Sequence, residues 1–269
     1  MSDMSKPLAV VTGASSGIGL ELAKQFAENG YDLLIASRGS GLDETCQMLQ
    51  ALGAHVESIA VDLRTYDGVE ELYGKARSLN RPVEAIAINA GVGVGGSFVP
   101  GTDAATSLES ELELIQLNVV SVVHLAKVFA KDLVAQGRGR MLFTSSISGT
   151  SPVPFEAVYG ASKAFVRSFG NAIGNEMKGT GVHVTVLMPG PTETNFFHHA
   201  GEDDTQVGSS EKNDPAQVAR QGFEALMAEQ PEVYGGGPEV REEGEGANRT
   251  ESEQQKAERH RQMSEPGSA

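Results

Sequence analysis

The chain has 269 residues, 39% of them hydrophobic, which suits one large domain and is short for two. Its net charge of -15 repels nucleic acid and anionic membrane surfaces, so neither is an expected partner. Cys46 is the only cysteine, which excludes an intrachain disulfide and a cysteine metal site; no stretch reads as transmembrane in length, and a soluble cytoplasmic protein without a bound metal is expected.

In chain order, short apolar runs alternate with amphipathic ones. Leu8–Thr12 reads as a strand, and Gly17–Glu28 as a helix with Ile18, Leu22 and Phe26 on one stripe. Further strands are expected at 32–36, 56–61, 85–88, 141–144 and 182–187. Most are continuously apolar, as strands buried on both faces are. In the sixth, His183 and Thr185 alternate with Val, so one side is expected to meet solvent or a seam. The longest helix is expected over Leu114–Val134, apolar around much of its circumference. The next is expected over Ala157–Met177, with Ala161, Phe165, Phe169 and Ile173 at steps of four. This alternation predicts a doubly wound, Rossmann-type parallel sheet with helices on both faces, in one domain over residues 1–234.

Asn195–Asp214 is polar and reads as a mobile loop. Asp214 is an expected helix N-cap with Pro215 at the first helical position, and the helix runs to about residue 228. Val233 and Tyr234 are candidates for a short seventh strand. Residues 235–269 are rich in Gly and Glu and poor in apolar residues; they read as a polar, acidic, largely disordered tail, with one short candidate helix at 254–263.

Three clusters carry chemistry. Thr12-Gly13-Ala14-Ser15-Ser16-Gly17-Ile18-Gly19 lies where the first strand becomes the first helix. Gly13 permits a sharp turn, Gly17 and Gly19 clear space for a pyrophosphate, and the helix N-terminus offers free N–H groups. At the end of the second strand the chain has Ala36-Ser37-Arg38-Gly39, where a carboxylate would select the free ribose hydroxyl of NAD. Arg38, helped by Ser15 and Ser37, suits the 2′-phosphate of NADP, and NAD is the less favoured cofactor. Asp62-Leu63 is placed either to hold the adenine amino group or to cap a helix. Near the start of a later helix, Tyr159 and Lys163 are one turn apart and project from one face. An ammonium beside a phenol is expected to lower the phenol pKa toward the working pH and make it a usable acid and base. Ser146 ends the fifth strand and Asn89-Ala90-Gly91 the fourth. Asn118 sits amid Leu117, Val119 and Val120, where a polar amide must be satisfied or mark a helix kink.

Thr12–Gly19, Asn89–Gly91, Asn118, Ser146, Tyr159 with Lys163, and Pro189-Gly190 with Thr194 resemble, in order and spacing, the short-chain dehydrogenase/reductase family in its short-subunit branch. The resemblance extends from about residue 7 to 234. It implies that Tyr159 exchanges the hydroxyl proton, Ser146 orients the substrate oxygen, Lys163 binds the nicotinamide ribose and tunes Tyr159, and Asn118 holds a relay water. It also implies that Pro189, Gly190, Thr192 and Thr194 contact the nicotinamide end, and Asn89, Ala90 and Gly91 the adenosine-side ribose and the sheet. The implied reaction is hydride transfer between NADP(H) and a carbonyl or alcohol.

The substrate is expected to be a small neutral or partly hydrophobic carbonyl or alcohol, in a pocket of Ile147, Pro152, Phe155, Phe196 and Phe197 with Val92 and Val94 opposite. His198 and His199 follow on the loop. Two departures from the family stand out: the Gly-rich segment 92–107 and the polar stretch after Tyr234. Rival readings are a catalytically silent NADP sensor or scaffold, and a dehydratase or epimerase on the same cofactor. The surplus apolar surface on the two long helices, which the family commonly pairs across a two-fold axis, predicts a homodimer or homotetramer.

Overall fold

The computed structural model describes residues 6–39, 41–102 and 104–269. Its strands are β1 (Leu8–Thr12), β2 (Asp32–Ser37), β3 (Val56–Ala60), β4 (Val83–Ile88), β5 (Gly139–Thr144), β6 (Val182–Pro189) and β7 (Glu232–Gly235). They form one parallel sheet in the order β3-β2-β1-β4-β5-β6-β7. The winding reverses between β1 and β4, where the connections after the two strands leave in opposite directions and open a crevice at the strands' carboxyl ends.

The helices are α1 (Gly17–Glu28), α2 (Leu42–Ala51), α3 (Tyr66–Ser78), α4 (Leu108–Ile115), α5 (Ser121–Gln136), α6 (Ala157–Glu176), α7 (Phe196–Ala200), α8 (Gln206–Ser209), α9 (Pro215–Met227), α10 (Pro238–Glu242), α11 (Asn248–Thr250) and α12 (Glu253–Ser264). The strand period of two sends alternate residues to opposite faces. Ala9, Val11, Leu33 and Ile35 meet Leu22 and Phe26 of α1, Leu49 of α2 and Phe223 of α9. Val10, Leu34, Ile86 and Phe143 meet Leu72 of α3, Leu125 and Phe129 of α5, and Val166 of α6. Each large side chain so buried contributes about 1.5–3 kcal/mol. The predicted N-cap at Asp214 is present, its carboxylate accepting from the Ala216 N–H at 3.0 Å, with Pro215 opening α9.

Three expectations need correction. The helix expected over 114–134 is part of one helical run, Leu108–Gln136, of 29 residues; by length and composition it could cross a membrane, contrary to the reading that none could. Its Leu114, Val122, Leu125, Phe129 and Leu133 are buried within the protein, whereas Leu108, Leu112, Val120, Val123 and Val134 are exposed. The expected mobile loop at 195–214 contains α7 and α8. Residues 235–269, expected to be largely disordered, form α10 to α12 and a π-turn at Glu243–Ala247. Hydropathy does not reveal this tail because it packs through polar groups. Asn248 donates to Thr150 Oγ1 at 2.6 Å, His260 meets Ser151 Oγ at 2.8 Å, and the Ala269 N–H donates to the Asp204 carbonyl at 3.0 Å. Val240 is its one fully buried hydrophobic side chain.

Candidate active site

A cleft of about 700 Å³ runs along the carboxyl ends of the strands. Its walls are joined by side chains that also satisfy the strand ends. Thr12 Oγ1 accepts from the N–H groups of Asn89 and Ala90 at 3.0 and 3.1 Å. Asn89 Nδ2 donates to the Thr12 carbonyl at 3.1 Å, and Thr144 Oγ1 donates to Asn89 Oδ1 at 3.0 Å. One amide thus ties β1, β4 and β5 together, and Asn89 serves the sheet while lining the cleft.

At one end, the turn after β1 has the form the glycine spacing predicts. Gly13 has φ +68°, and a Cβ there would lie 3.0 Å from Ala90 Cα; a Cβ on Gly17, at φ +53°, would lie 2.8 Å from Thr194 Cγ2. A Cβ on Gly19 would overlap the Gly13 carbonyl. Space for a phosphate and for the helix-strand approach therefore depends on absent side chains, and α1 points its free N–H groups into it. Ser16 precedes α1 with no side-chain capping bond, and Gly13, Ser15, Ser16, Gly17, Ile18 and Gly19 all line the cleft. Ser15 and Ser37 share a hydrogen bond of 2.8 Å, and Arg38, with its side chain 62% exposed, stands beside them at the rim. These residues fit the phosphates and ribose of a nicotinamide dinucleotide. Asp62 and Leu63 line the same end. The Asp62 carboxylate takes three bonds from the Arg64 side chain, at 2.6–3.1 Å, and Arg64 holds its pKa below the usual carboxylate range. Arg64 also pairs with Glu113 on α4, bridging the two walls of the cleft at this end.

At the other end stand Ser146, Tyr159 and Lys163, all buried. Ser146 opens a 3-10 turn (Ile147–Thr150) and accepts from the Ser148 N–H at 3.1 Å, which leaves its O–H as a donor. Lys163 Nζ donates to the Thr144 carbonyl at 3.0 Å and lies 5.7 Å from the Tyr159 ring centre. Burial pushes the Lys163 ammonium down to about 8. The Tyr159 phenol moves opposite to the expectation. Burial raises its pKa first and the carboxyl of Glu156 next, against a lowering by the Ser146 hydroxyl. The phenol is thereby held in its proton-donating form. The Phe196 ring packs 5.1 Å from the Tyr159 ring.

Asn118 stands behind this group, outside the cleft lining, in a π-turn (Gln116–Val120) between α4 and α5. Its Oδ1 accepts from the Val92 N–H at 3.0 Å, and its Nδ2 donates to the Val92 carbonyl at 2.9 Å and to Ser162 Oγ at 3.1 Å. The extra residue of the π-turn aims this side chain at the β4 loop. Asn118→Ala would orphan the Val92 N–H and carbonyl and remove a donor from Ser162 Oγ, which keeps its own bond to the Tyr159 carbonyl; a loss of about 2–4 kcal/mol is expected in urea unfolding, with m unchanged.

The family model for short chain dehydrogenases matches residues 7–205. The chain belongs to the short-chain dehydrogenase family. It is accordingly an oxidoreductase of the kind that works with a nicotinamide dinucleotide on CH–OH or C=O groups. A ketoacyl reductase from Nostoc is 29% identical over 191 residues, which cover 71% of this chain and 65% of the relative's length. A short-chain dehydrogenase from Sphingobium yanoikuyae, solved in complex with NADPH, is 28% identical with a TM-score of 0.77 over 85% of this chain and 87% of that one. A family structure from Burkholderia phymatum, in complex with NAD, is 24% identical with a TM-score of 0.80 over 93% and 94%.

In this short-chain dehydrogenase, Pro189, Gly190, Thr192 and Thr194 line the cleft between the two ends, as do Ala90 and Gly91. Thr192 Oγ1 donates to the Gly190 carbonyl at 2.8 Å. Of the expected substrate wall, Val92, Val94, Ile147, Phe196 and Phe197 line the cleft; Pro152 and Phe155 do not. Phe155 has φ +65°, and its ring lies under the Arg261 guanidinium of α12, 5.1 Å away. It is a docking site for the tail, which a sequence without a placed tail could not reveal. His199 lines the cleft, while His198 pairs with Asp203 at 2.7 Å. Sequence reasoning missed Arg64 and Glu156. Glu156 carried a signal, since an acidic residue stands three positions before Tyr159 in an otherwise apolar stretch.

Proposed function

We propose that this enzyme interconverts a carbonyl and an alcohol with NADP(H), using Tyr159 as the proton donor and acceptor, Ser146 to orient the substrate oxygen and Lys163 to hold the nicotinamide ribose. The observation that carries this is the common cleft, in which a glycine cradle with Arg38 at its rim leads to the buried Ser146, Tyr159 and Lys163. The cofactor, when bound, supplies the hydride chemistry. The chain's own part is positional and protonic. The Ser146 O–H and the protonated Tyr159 offer two donors to one substrate oxygen, which stabilises negative charge developing there. Lys163 has only a carbonyl acceptor and keeps donors for a hydroxyl, and Asn118 supports the relay by fixing the Val92 backbone beside Lys163. A silent sensor has no use for this group, and the reductase reading is preferred for that reason. Pro189, Gly190, Thr192 and Thr194 are assigned to the nicotinamide end, and Asp62 and Leu63 to the adenine.

The test is NADPH absorbance while carbonyl compounds are screened with both cofactors. NADP preference is supported by Arg38 and by the Ser15–Ser37 pair, with no carboxylate at the end of β2. Arg38→Asp is expected to raise KM for NADPH by roughly ten- to a hundredfold, as loss of a charge-assisted pair does, and to leave KM for NADH nearly unchanged. Equal effects on both would remove the assignment. A cytoplasmic location is assigned with this reading; the exposed Leu108, Leu112, Val120 and Val123 support a homodimer or homotetramer paired through the helical run of α4 and α5, to be checked by light scattering.

A further inference from the structure

Beside the catalytic group lies a pair of buried carboxyls that the reaction above does not use. Glu156 immediately precedes α6, the helix of Tyr159, and lines the cleft; Glu202 follows α7. They are 6% and 1% exposed. The Glu202 backbone is fixed by bonds from its own N–H to the Phe197 carbonyl and from Thr205 to its carbonyl. Its side chain packs on Gly95, where a Cβ would overlap it. Neither Glu202 oxygen receives a hydrogen bond from any donor among the described residues. Glu156 receives one long bond, 3.4 Å from Ser264 Oγ at the end of α12. Other titratable or charged groups around the pair are Tyr159 and Lys163 on α6, His199 on α7 and Arg261 on α12, and none bonds to either carboxyl. Two buried carboxylates left side by side without donors are costly, and a proton shared between them relieves both the repulsion and the missing donor. Burial raises both carboxyl pKa values; the charge and contact of Glu156 raise Glu202 further, whereas the bonds from Glu202 and Ser264 lower Glu156. Glu202 therefore keeps the proton and donates it to Glu156, which faces the cleft.

We propose that Glu156, held by protonated Glu202, determines substrate specificity by accepting a hydrogen bond from an ammonium or hydroxyl group on the substrate and by rejecting carboxylates. This rests on the carbonyl–alcohol reading of the cleft. The rest of the substrate end is apolar, with Ile147, Phe196, Phe197, Val92 and Val94, so Glu156 is its one ionisable acceptor besides Tyr159 and His199. A negative charge in such a wall acts with little screening. A substrate carboxylate about 5 Å away is disfavoured by roughly a hundredfold, and an ammonium is favoured. The selectivity follows the ionisation of Glu156, so it strengthens as pH rises and weakens as acid protonates it.

The test measures binding of 4-(aminomethyl)acetophenone and 4-acetylbenzoate to the NADPH complex by cofactor fluorescence, between about pH 5 and about pH 9. The wild-type protein is expected to prefer the amine by roughly tenfold or more at the alkaline end and less at the acid end. Glu156→Gln should bring the two affinities together at all pH values. Glu202→Gln, which keeps a donor for Glu156, should retain the preference. Equal affinities in the wild-type protein, a preference unchanged in Glu156→Gln, or no binding of the amine would each overturn the proposal. Turnover of acetophenone is followed in parallel. Turnover without charge selectivity removes only the role of Glu156, whereas charge selectivity without turnover of any screened ketone removes only the reductase reading.

Discussion

Tyr159→Phe is expected to lower kcat/KM by roughly 10²–10⁴-fold, the usual contribution of a positioned general acid, and to leave the Kd for NADPH within about twofold. The substitution removes one oxygen and keeps the ring. Packing against Phe196 survives, and so does the contact with the Lys163 side chain. The phenol makes no structural hydrogen bond that the fold needs, and its burial with a raised pKa means that the change removes a neutral O–H rather than a charge. Melting temperature should therefore hold or rise slightly, while Ser146 alone orients the substrate oxygen. Stopped-flow single turnover separates the loss from product release. A variant that turns over at the wild-type rate would take Tyr159 out of the mechanism, and one that also loses NADPH would make it a binding residue.

Removing residues 238–269 is expected to lower the melting temperature by about 10 °C and kcat/KM by more than about tenfold. Val240 packs against Gly190, and its exposure costs about 1.5–3 kcal/mol. Loss of Asn248, His260 and Ser264 removes one hydrogen bond each from Thr150, Ser151 and Glu156. Each such bond contributes about 1 kcal/mol. For a domain of this size, each kcal/mol shifts the midpoint by about 2–4 °C. Activity suffers separately, because these contacts support the 3-10 turn after Ser146, the entry to α6 and, through Ser268 and Ala269, the segment with α8. Calorimetry and steady-state kinetics on the truncated chain check both parts. An unchanged melting temperature would show that the tail is an appendage, as its composition alone suggests.

The contrast between these two experiments marks how much the sequence tells. Strands such as Leu8–Thr12 are legible because burial on both faces demands an unbroken apolar run. Gly13, Gly17 and Gly19 are legible because a close backbone approach tolerates no Cβ. Tyr159 and Lys163 are legible because the helical repeat puts residues four apart on one face. Each of these is a local rule, readable from a few neighbours, and together they determined the doubly wound fold and the residues that line its cleft at the ends of β1, β4 and β5.

What depends on partners distant in the chain was not legible. Glu156 and Glu202 lie far apart in the chain, and burial, which only the fold around α6 and α7 produces, is the first cause that raises both carboxyl pKa values. Phe155 turns from the cleft because Arg261 lies over it, and the Tyr159 phenol pKa is raised because burial and the Glu156 carboxyl outweigh the Ser146 hydroxyl. The tail orders through buried Asn, Lys, His and Ser side chains whose partners lie up to 109 positions away, a pattern with no hydropathy signature. The sequence by itself determined the sheet, the glycine turn after β1 and the placing of Tyr159 and Lys163 on one helix face, through steric and periodic constraints between near neighbours. The tertiary structure alone decided the electrostatics of the substrate end and the order of the last residues, because desolvation and hydrogen bonding act between groups that only folding brings together.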